Sequence, residues 1–108
     1  RVVMNKLKIL KKLKNNLELN IEEMEELSLH LPNETYSFIR ECLEKRGKVL
    51  ISEISENCLL HLESFGICSL TSDVFIREYA EEIGYYALNY NKKIFEELFT
   101  YLESKKSS

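Results

Sequence analysis

Proline and glycine are scarce in this chain, with one proline and three glycines among 108 residues. Both residue types end or interrupt helices, so their scarcity favours helix over most of the length. Strand signals are weak, because no Asn-Gly or Asp-Gly hairpin turn occurs and no long run alternates β-branched or aromatic residues with polar ones. The sequence therefore predicts an all-α fold.

Long apolar runs and a cysteine framework are absent as well. No apolar run approaches the roughly 20 residues that span a bilayer, and we expect no secretory signal in the basic N-terminal stretch, which lacks an unbroken apolar core. Three cysteines are too few, and odd in number, for a disulfide framework. We therefore expect an intracellular protein, cytoplasmic or nuclear. Because the chain starts with Arg1 and ends in a stretch of Lys and Ser, we also expect it to be a segment of a longer protein or a processed one.

The sequence contains no motif that holds a cofactor or a reacting group. Its three glycines are far apart and form no phosphate-binding loop. Five side chains have metal-binding or nucleophilic chemistry: His30, Cys42, Cys58, His61 and Cys68. Cys58 and His61 are three residues apart on a predicted helix, but no two cysteines have the close spacing of a structural zinc site. We expect no catalytic residue, no metal site and no cofactor.

Charge is unevenly distributed along the chain. The net charge is −3, yet residues 1–17 contain six of the 15 basic side chains and no acidic one. The remaining residues carry nine basic and 18 acidic side chains, which gives them a net charge of −9. Such an acidic body repels nucleic acid and anionic lipid, whereas the first segment alone attracts them.

The first segment is predicted to be a basic amphipathic helix. Its apolar residues follow helical spacing, and the stripe consists of Val3, Leu7, Leu10, Leu13 and Leu17. Lys8, Lys11 and Lys12 lie opposite this stripe and are the candidates for binding an anion. Two interpretations stay open: the helix packs on the acidic body of the same chain, or it docks on nucleic acid or an anionic membrane.

Helical periodicity continues through the rest of the chain. The sequence predicts six helices, at about 3–17, 20–31, 33–46, 48–65, 72–90 and 92–104. Asn20 and Glu23 have the spacing of a capping box, and Asn33 can cap the third helix. Gly47 and Gly66 are suited to end the third and fourth helices. We expect a single domain, a compact bundle or short stack of antiparallel helices. Its parts are the basic helix (1–17), the acidic helical body (18–104) and a polar tail (105–108).

The predicted fifth helix is rich in tyrosine. One broad apolar arc is expected to face the core: Phe75, Ile76, Tyr79, Ala80, Ile83, Tyr86, Ala87 and Tyr90. The opposite side carries a second apolar stripe, Val74, Tyr85 and Leu88, which is interleaved with the carboxylates of Glu78 and Glu81. Either another helix of this chain covers that stripe, the basic first helix being one candidate, or a partner does.

These observations favour a non-catalytic helical protein–protein interaction module, an adaptor or scaffold within a larger intracellular protein or assembly. The expected contact residues are Val74, Glu78, Glu81, Tyr85 and Leu88. The partner is another protein, bound by helix-in-groove or helix-face contact, or a second copy of this chain. The alternative is electrostatic docking on nucleic acid or an anionic membrane through Lys8, Lys11 and Lys12.

Overall fold

The structure, a computed structural model, describes the backbone of residues 2–107 and the side chains of residues 6–106. Six helices and three strands lie within these residues. In chain order they are α1 (Val2–Lys14), α2 (Ile21–Leu29), α3 (Thr35–Glu44), β1 (Lys48–Leu50), α4 (Glu53–Ser64), β2 (Cys68–Leu70), α5 (Val74–Glu82), β3 (Tyr85–Tyr90) and α6 (Lys92–Ser107). The predicted number of helices is confirmed, but the all-α fold class is wrong.

A three-stranded antiparallel sheet runs through the second half of the chain, in the order β1-β3-β2. The first half of β3 pairs with β1, where Val49 lies opposite Tyr86. The second half pairs with β2, where Leu70 lies opposite Leu88. The longest strand therefore occupies the centre and joins two segments that are far from it in sequence.

The helix bounds differ from the prediction where these strands occur. Residues 48–50, predicted to begin the fourth helix, form β1, and α4 starts only after Ser52, whose side chain accepts from the Ser55 amide. Residues 85–90, predicted to continue the fifth helix, form β3. Gly84 has a φ of +95° and ends α5 in a left-handed turn. The following aromatic residues favour an extended backbone once strands are available on both sides.

The two faces of the sheet have different surroundings. Paired residues of neighbouring strands point to the same face, so Val49 and Tyr86 share one face and Lys48 and Ala87 share the other. Val49 belongs to the main core, and Tyr86 packs against that core. Helix α5 contacts β3 and lies over the opposite face. We call these the core face and the outer face of the sheet.

Helix α6 supplies the most deeply buried part of the core. Ile94, Phe95 and Leu98 are buried, as its amphipathic pattern predicts, and they belong to one cluster with residues from α1, α2, α3 and α4. Asn91 caps this helix by accepting from the Ile94 amide at 3.1 Å. The helix continues to Ser107, so it includes most of the predicted polar tail.

Helix α1 packs mainly on α2, through a face that overlaps the predicted leucine stripe only at Leu10 and Leu13. Ile9 and Leu13 are buried, whereas Leu7 and Leu17 are exposed. The side chain of Val3 lies outside the described residues. Glu23 joins the two helices, because its carboxylate caps Asn20 at 2.9 Å and accepts from the Lys12 ammonium at 2.8 Å. The hydrogen bond from Lys12, and to a smaller extent that from the Asn20 amide, holds the pKa of Glu23 below its usual value.

Most of the predicted helix caps and ends agree with the structure, and one does not. The capping box of Asn20 and Glu23 is confirmed, and so are the left-handed turns at Gly47 and Gly66. Asn33 was expected to cap the third helix, but the cap position belongs to Glu34, which makes no side-chain capping bond. Local patterns thus locate most helix ends within one or two residues.

Gly47 is the glycine on which the sheet most depends. Its carbonyl accepts from the Leu88 amide at 2.7 Å, and an added Cβ would lie 3.0 Å from the Leu88 carbonyl oxygen. Gly66 also has a positive φ, but an added Cβ there would meet no atom within 4 Å. Gly66→Ala therefore isolates the backbone strain that both substitutions share.

We expect Gly47→Ala to lower the free energy of unfolding by about 2–3 kcal/mol, and Gly66→Ala by only about 1 kcal/mol. The difference reflects the contact with β3, because the left-handed backbone is common to both sites. Urea unfolding followed by circular dichroism measures both values. Equal losses in the two variants would contradict the close approach of Gly47 to β3.

Candidate interaction surface

Helix α5 is amphipathic but only slightly buried. Of its nine residues, Ala80 alone is buried, with 2% of its surface exposed. Asp73 caps the helix by accepting from the Ile76 amide at 3.1 Å. Ala80 and Ala87, on β3, are both buried but lie outside the main core cluster. The two small side chains allow the helix to lie close to the outer face of the sheet, and little else of α5 is covered.

Three large apolar side chains on one face of α5, and that of its C-cap residue Ile83, are exposed to solvent. Phe75 is 85% exposed and Tyr79 is 67% exposed, while Ile76 and Ile83 are each 52% exposed. Their spacing of three or four residues places them on one face of the helix. We call Phe75, Ile76, Tyr79 and Ile83 the α5 patch. Single exposed apolar residues are common on proteins, whereas contiguous rows of this kind are typical of interaction sites.

The α5 patch is the face that the sequence predicts to be buried. The prediction treated residues 72–90 as one helix and assigned Phe75, Ile76, Tyr79 and Ile83 to the core together with Tyr86 and Tyr90. Because the chain leaves the helix at Gly84, the two tyrosines enter the sheet while the α5 residues remain outside. The expected core arc of the fifth helix is therefore wrong for these four residues, whereas Ala80 of the same arc is buried.

Acidic side chains border the α5 patch. Glu78, Glu81 and Glu82 are exposed, and none of them forms an ion pair with any side chain that the structure describes. Arg77 is the only cation of α5, and it is half-buried. Glu78 and Glu82 lie three residues after Phe75 and Tyr79 and so border the row, whereas Glu81 lies toward the far side of the helix. The helix thus presents an apolar row with negative charge along one edge, and no described cation forms an ion pair with that edge.

The β1–α4 connection carries further exposed apolar side chains and lies next to the end of α5. The Ile51 amide donates to the Gly84 carbonyl at 2.9 Å, which holds this connection beside the end of α5. Leu50 and Ile54 are half or more exposed and line a groove of about 220 Å³ between α3, β1 and α4. Within this groove, the Glu41 carboxylate accepts from the Leu50 amide at 2.9 Å and so occupies a donor on the open edge of β1.

The five predicted contact residues do not form one surface. Val74 is about half exposed at the start of α5, and Glu78 and Glu81 are exposed on the same helix. Tyr85 is half-buried on β3, where its ring lies 5.2 Å from the Lys45 ammonium. Leu88 is 8% exposed and belongs to the core. The expectation that Val74, Tyr85 and Leu88 share a helix face is wrong, because the helix ends before Tyr85.

Glu23 lies close to two of the three predicted anion-binding lysines, Lys8 and Lys12, but not to Lys11. Lys12 forms a hydrogen-bonded ion pair with its carboxylate, and Lys8 lies 3.8 Å from the second carboxylate oxygen. Lys11 is exposed and has no ion pair among the described residues, and the same holds for Lys14. The structure therefore favours packing of α1 on the acidic body for Lys8 and Lys12, and leaves two lysines facing solvent.

The cysteines and histidines are dispersed. Cys42, Cys58 and Cys68 are free and buried, and burial raises the pKa of Cys42 to about 12 and also raises those of the other two thiols. His61 is exposed, so it does not accompany Cys58 into the core. No group of three or more His, Cys, Asp or Glu side chains suited to a metal ion occurs within the described part of the chain. The thiols stay protonated at neutral pH.

Between residues 2 and 107, no helix has the length and apolar character to cross a membrane. In comparisons with known proteins, no family model, no curated protein and no solved structure matches this chain. The α5 patch, its acidic edge and the basic exposed side of α1 are the surface features with which a function can be connected.

The exposure of the α5 patch gives a direct stability prediction. We expect Phe75→Gln with Tyr79→Gln to change the free energy of unfolding by no more than about 0.5 kcal/mol, because neither ring is buried. Leu88→Ala should lower it by about 2–4 kcal/mol, since it removes core volume. Chemical denaturation of the three proteins measures both effects. A loss in the double variant as large as that in Leu88→Ala would place the patch in the core.

Proposed function

We propose that this chain is a non-catalytic protein–protein interaction module and that the α5 patch is its contact surface. The observation that carries the proposal is the exposure of Phe75, Ile76, Tyr79 and Ile83 on one face of one helix. Aromatic side chains offer about 150–250 Å² each for burial, and they are over-represented among the residues that dominate binding energy. The patch thus supplies two aromatic anchors between two isoleucines.

The charge beside the patch defines the chemistry of the partner. Glu78 and Glu82 are exposed along one edge and lack ion-pair partners among the described residues. A partner that covers the apolar row while bringing Lys or Arg to this edge gains both burial and charge pairing. An amphipathic helix with a basic border has these properties, and helix-face contact is its ordinary mode of binding.

The alternative of electrostatic docking by α1 has less support. Glu23 engages Lys8 and Lys12, so two of the three lysines that this function requires are partly neutralised. Lys11 and Lys14 are too few for strong phosphate binding, because affinity for nucleic acid grows with the number of cations engaged. The three unpaired, buried cysteines suit a reducing compartment, and we propose a cytoplasmic or nuclear location on that basis.

A synthetic basic amphipathic helix tests the proposed contact. The probe is a fluorescent peptide of about 18 residues, composed of leucine on one face and lysine on the other. We expect its fluorescence anisotropy to rise on titration with the protein. The variant Phe75→Gln/Tyr79→Gln should bind it at least about tenfold more weakly, which corresponds to about 1.4 kcal/mol.

A matched control distinguishes binding at the α5 patch from non-specific hydrophobic binding. Leu29 and Leu60 are 73% and 59% exposed on other helices, and neither belongs to the α5 patch. We expect Leu29→Gln with Leu60→Gln to bind the peptide as the wild type does. Equal affinities for all three proteins, or a loss in the leucine variant alone, would contradict docking on the α5 patch.

A further inference from the structure

Two exposed surfaces of this molecule are complementary to each other. One is the α5 patch with its row of carboxylates. The other is the solvent side of α1, where Leu7 is 59% exposed and Lys11 and Lys14 are exposed without ion pairs among the described residues. Because both are exposed in the same molecule, neither covers the other within one chain.

The two surfaces also agree in length. Phe75 and Ile83, at the ends of the α5 patch, are eight residues apart, or about 12 Å along a helix. Leu7 and Lys14 are seven residues apart, or about 10 Å. Leu7 lies one helical turn before Lys11, and Phe75 lies one turn before Glu78, so each surface has an apolar residue and a charged residue one turn apart. One face of α1 can therefore lie along α5 with its leucine on the apolar row and its lysines at the acidic edge.

A symmetric pairing of two α5 helices does not satisfy the charges. In an antiparallel pair about a twofold axis, Glu78 and Glu82 of one copy face the same residues of the other, and like charges repel. The sole cation of α5, Arg77, is half-buried on the side of the sheet. The carboxylates need cations from elsewhere, and residues 1–17, with six basic side chains and no acidic one, carry the largest excess of them in this chain.

We propose that α1 of a second copy of this chain docks on the α5 patch, in a head-to-tail contact. The inference rests on the proposed function, because it names the partner of the same surface. A contact formed by one face of two short helices lies in the small, transient class of interfaces, below about 1,200 Å². Association should therefore depend on concentration and weaken as salt rises.

Light scattering after size exclusion tests this contact with the full chain. For the wild type, we expect the average mass to rise above that of one chain at high protein concentration in about 50 mM salt, and to fall back in about 500 mM salt. Two variants each lack one side of the contact: Lys11→Glu/Lys14→Glu and Phe75→Gln/Tyr79→Gln. Each alone should remain a single chain.

Mixing the two variants gives the decisive result. The first retains the α5 patch and the second retains α1, so the mixture should form a complex of two chains and no larger species. Lys92 and Lys93 are exposed at the start of α6, and Lys92→Glu/Lys93→Glu is the matched control, which should associate as the wild type does. A mixture that stays monomeric, or association that survives in either single variant, would overturn head-to-tail docking.

The outcomes also separate this inference from the function on which it rests. A wild type that stays monomeric while still binding the leucine–lysine peptide through the α5 patch would overturn self-docking and leave the interaction module intact. A protein that neither associates nor binds the peptide would overturn both.

Discussion

The pairing of β3 with two strands at once determines the rest of this structure. Its first half bonds to β1 and its second half to β2, so six residues join segments that begin near positions 48 and 68. An isolated hairpin is only marginally stable, whereas a strand with a partner on each edge gives backbone partners to both of its halves. Residues 85–90 therefore form a strand, although their apolar pattern would also fit a continuation of α5.

The exposure of α5 follows from this pairing. A nine-residue helix is too short to be stable alone in water, so it depends on its cap at Asp73, its turn at Gly84 and its contact with the sheet. Ala80 and Ala87 are the small, buried side chains of these two elements, and none of the other eight residues of α5 is buried. Among the residues that the structure describes, no element covers the large side chains of the adjacent face. The surface that supports the proposed function is thus a consequence of the sheet.

Local signals in the sequence identify the helix ends and the most regular helix. Asn20 with Glu23, Gly66 and the apolar pattern of α6 each carry their information within a few residues, and the structure agrees with them. The strands could not be found in this way. In residues 85–90 the apolar side chains fit a helical wheel as well as an extended strand, and β1 and β2 have three residues each, too few to show alternation.

The predicted contact face and the predicted core face of the fifth helix are exchanged in the structure for the same reason. Once Tyr85 and Leu88 are placed on one helix with Val74, their shared face follows from the wheel, and Phe75 and Tyr79 are assigned to the core. The pairing of Lys48 with Ala87 spans most of the second half of the chain, and nothing in a local window reports it. Gly84 is the one local signal, since a glycine near the end of a helical pattern favours a left-handed stop.

Nuclear magnetic resonance on the isotopically labelled protein tests the central strand most directly. Leu50 lies opposite Tyr85, and Leu70 lies opposite Leu88, in pairs of the kind whose Cα atoms are about 4.5 Å apart. We expect strong contacts between the α-hydrogens of each pair. A continuous series of helical contacts between residues three apart, running from Glu82 to Tyr90, would contradict the sheet and the exposure of α5 together.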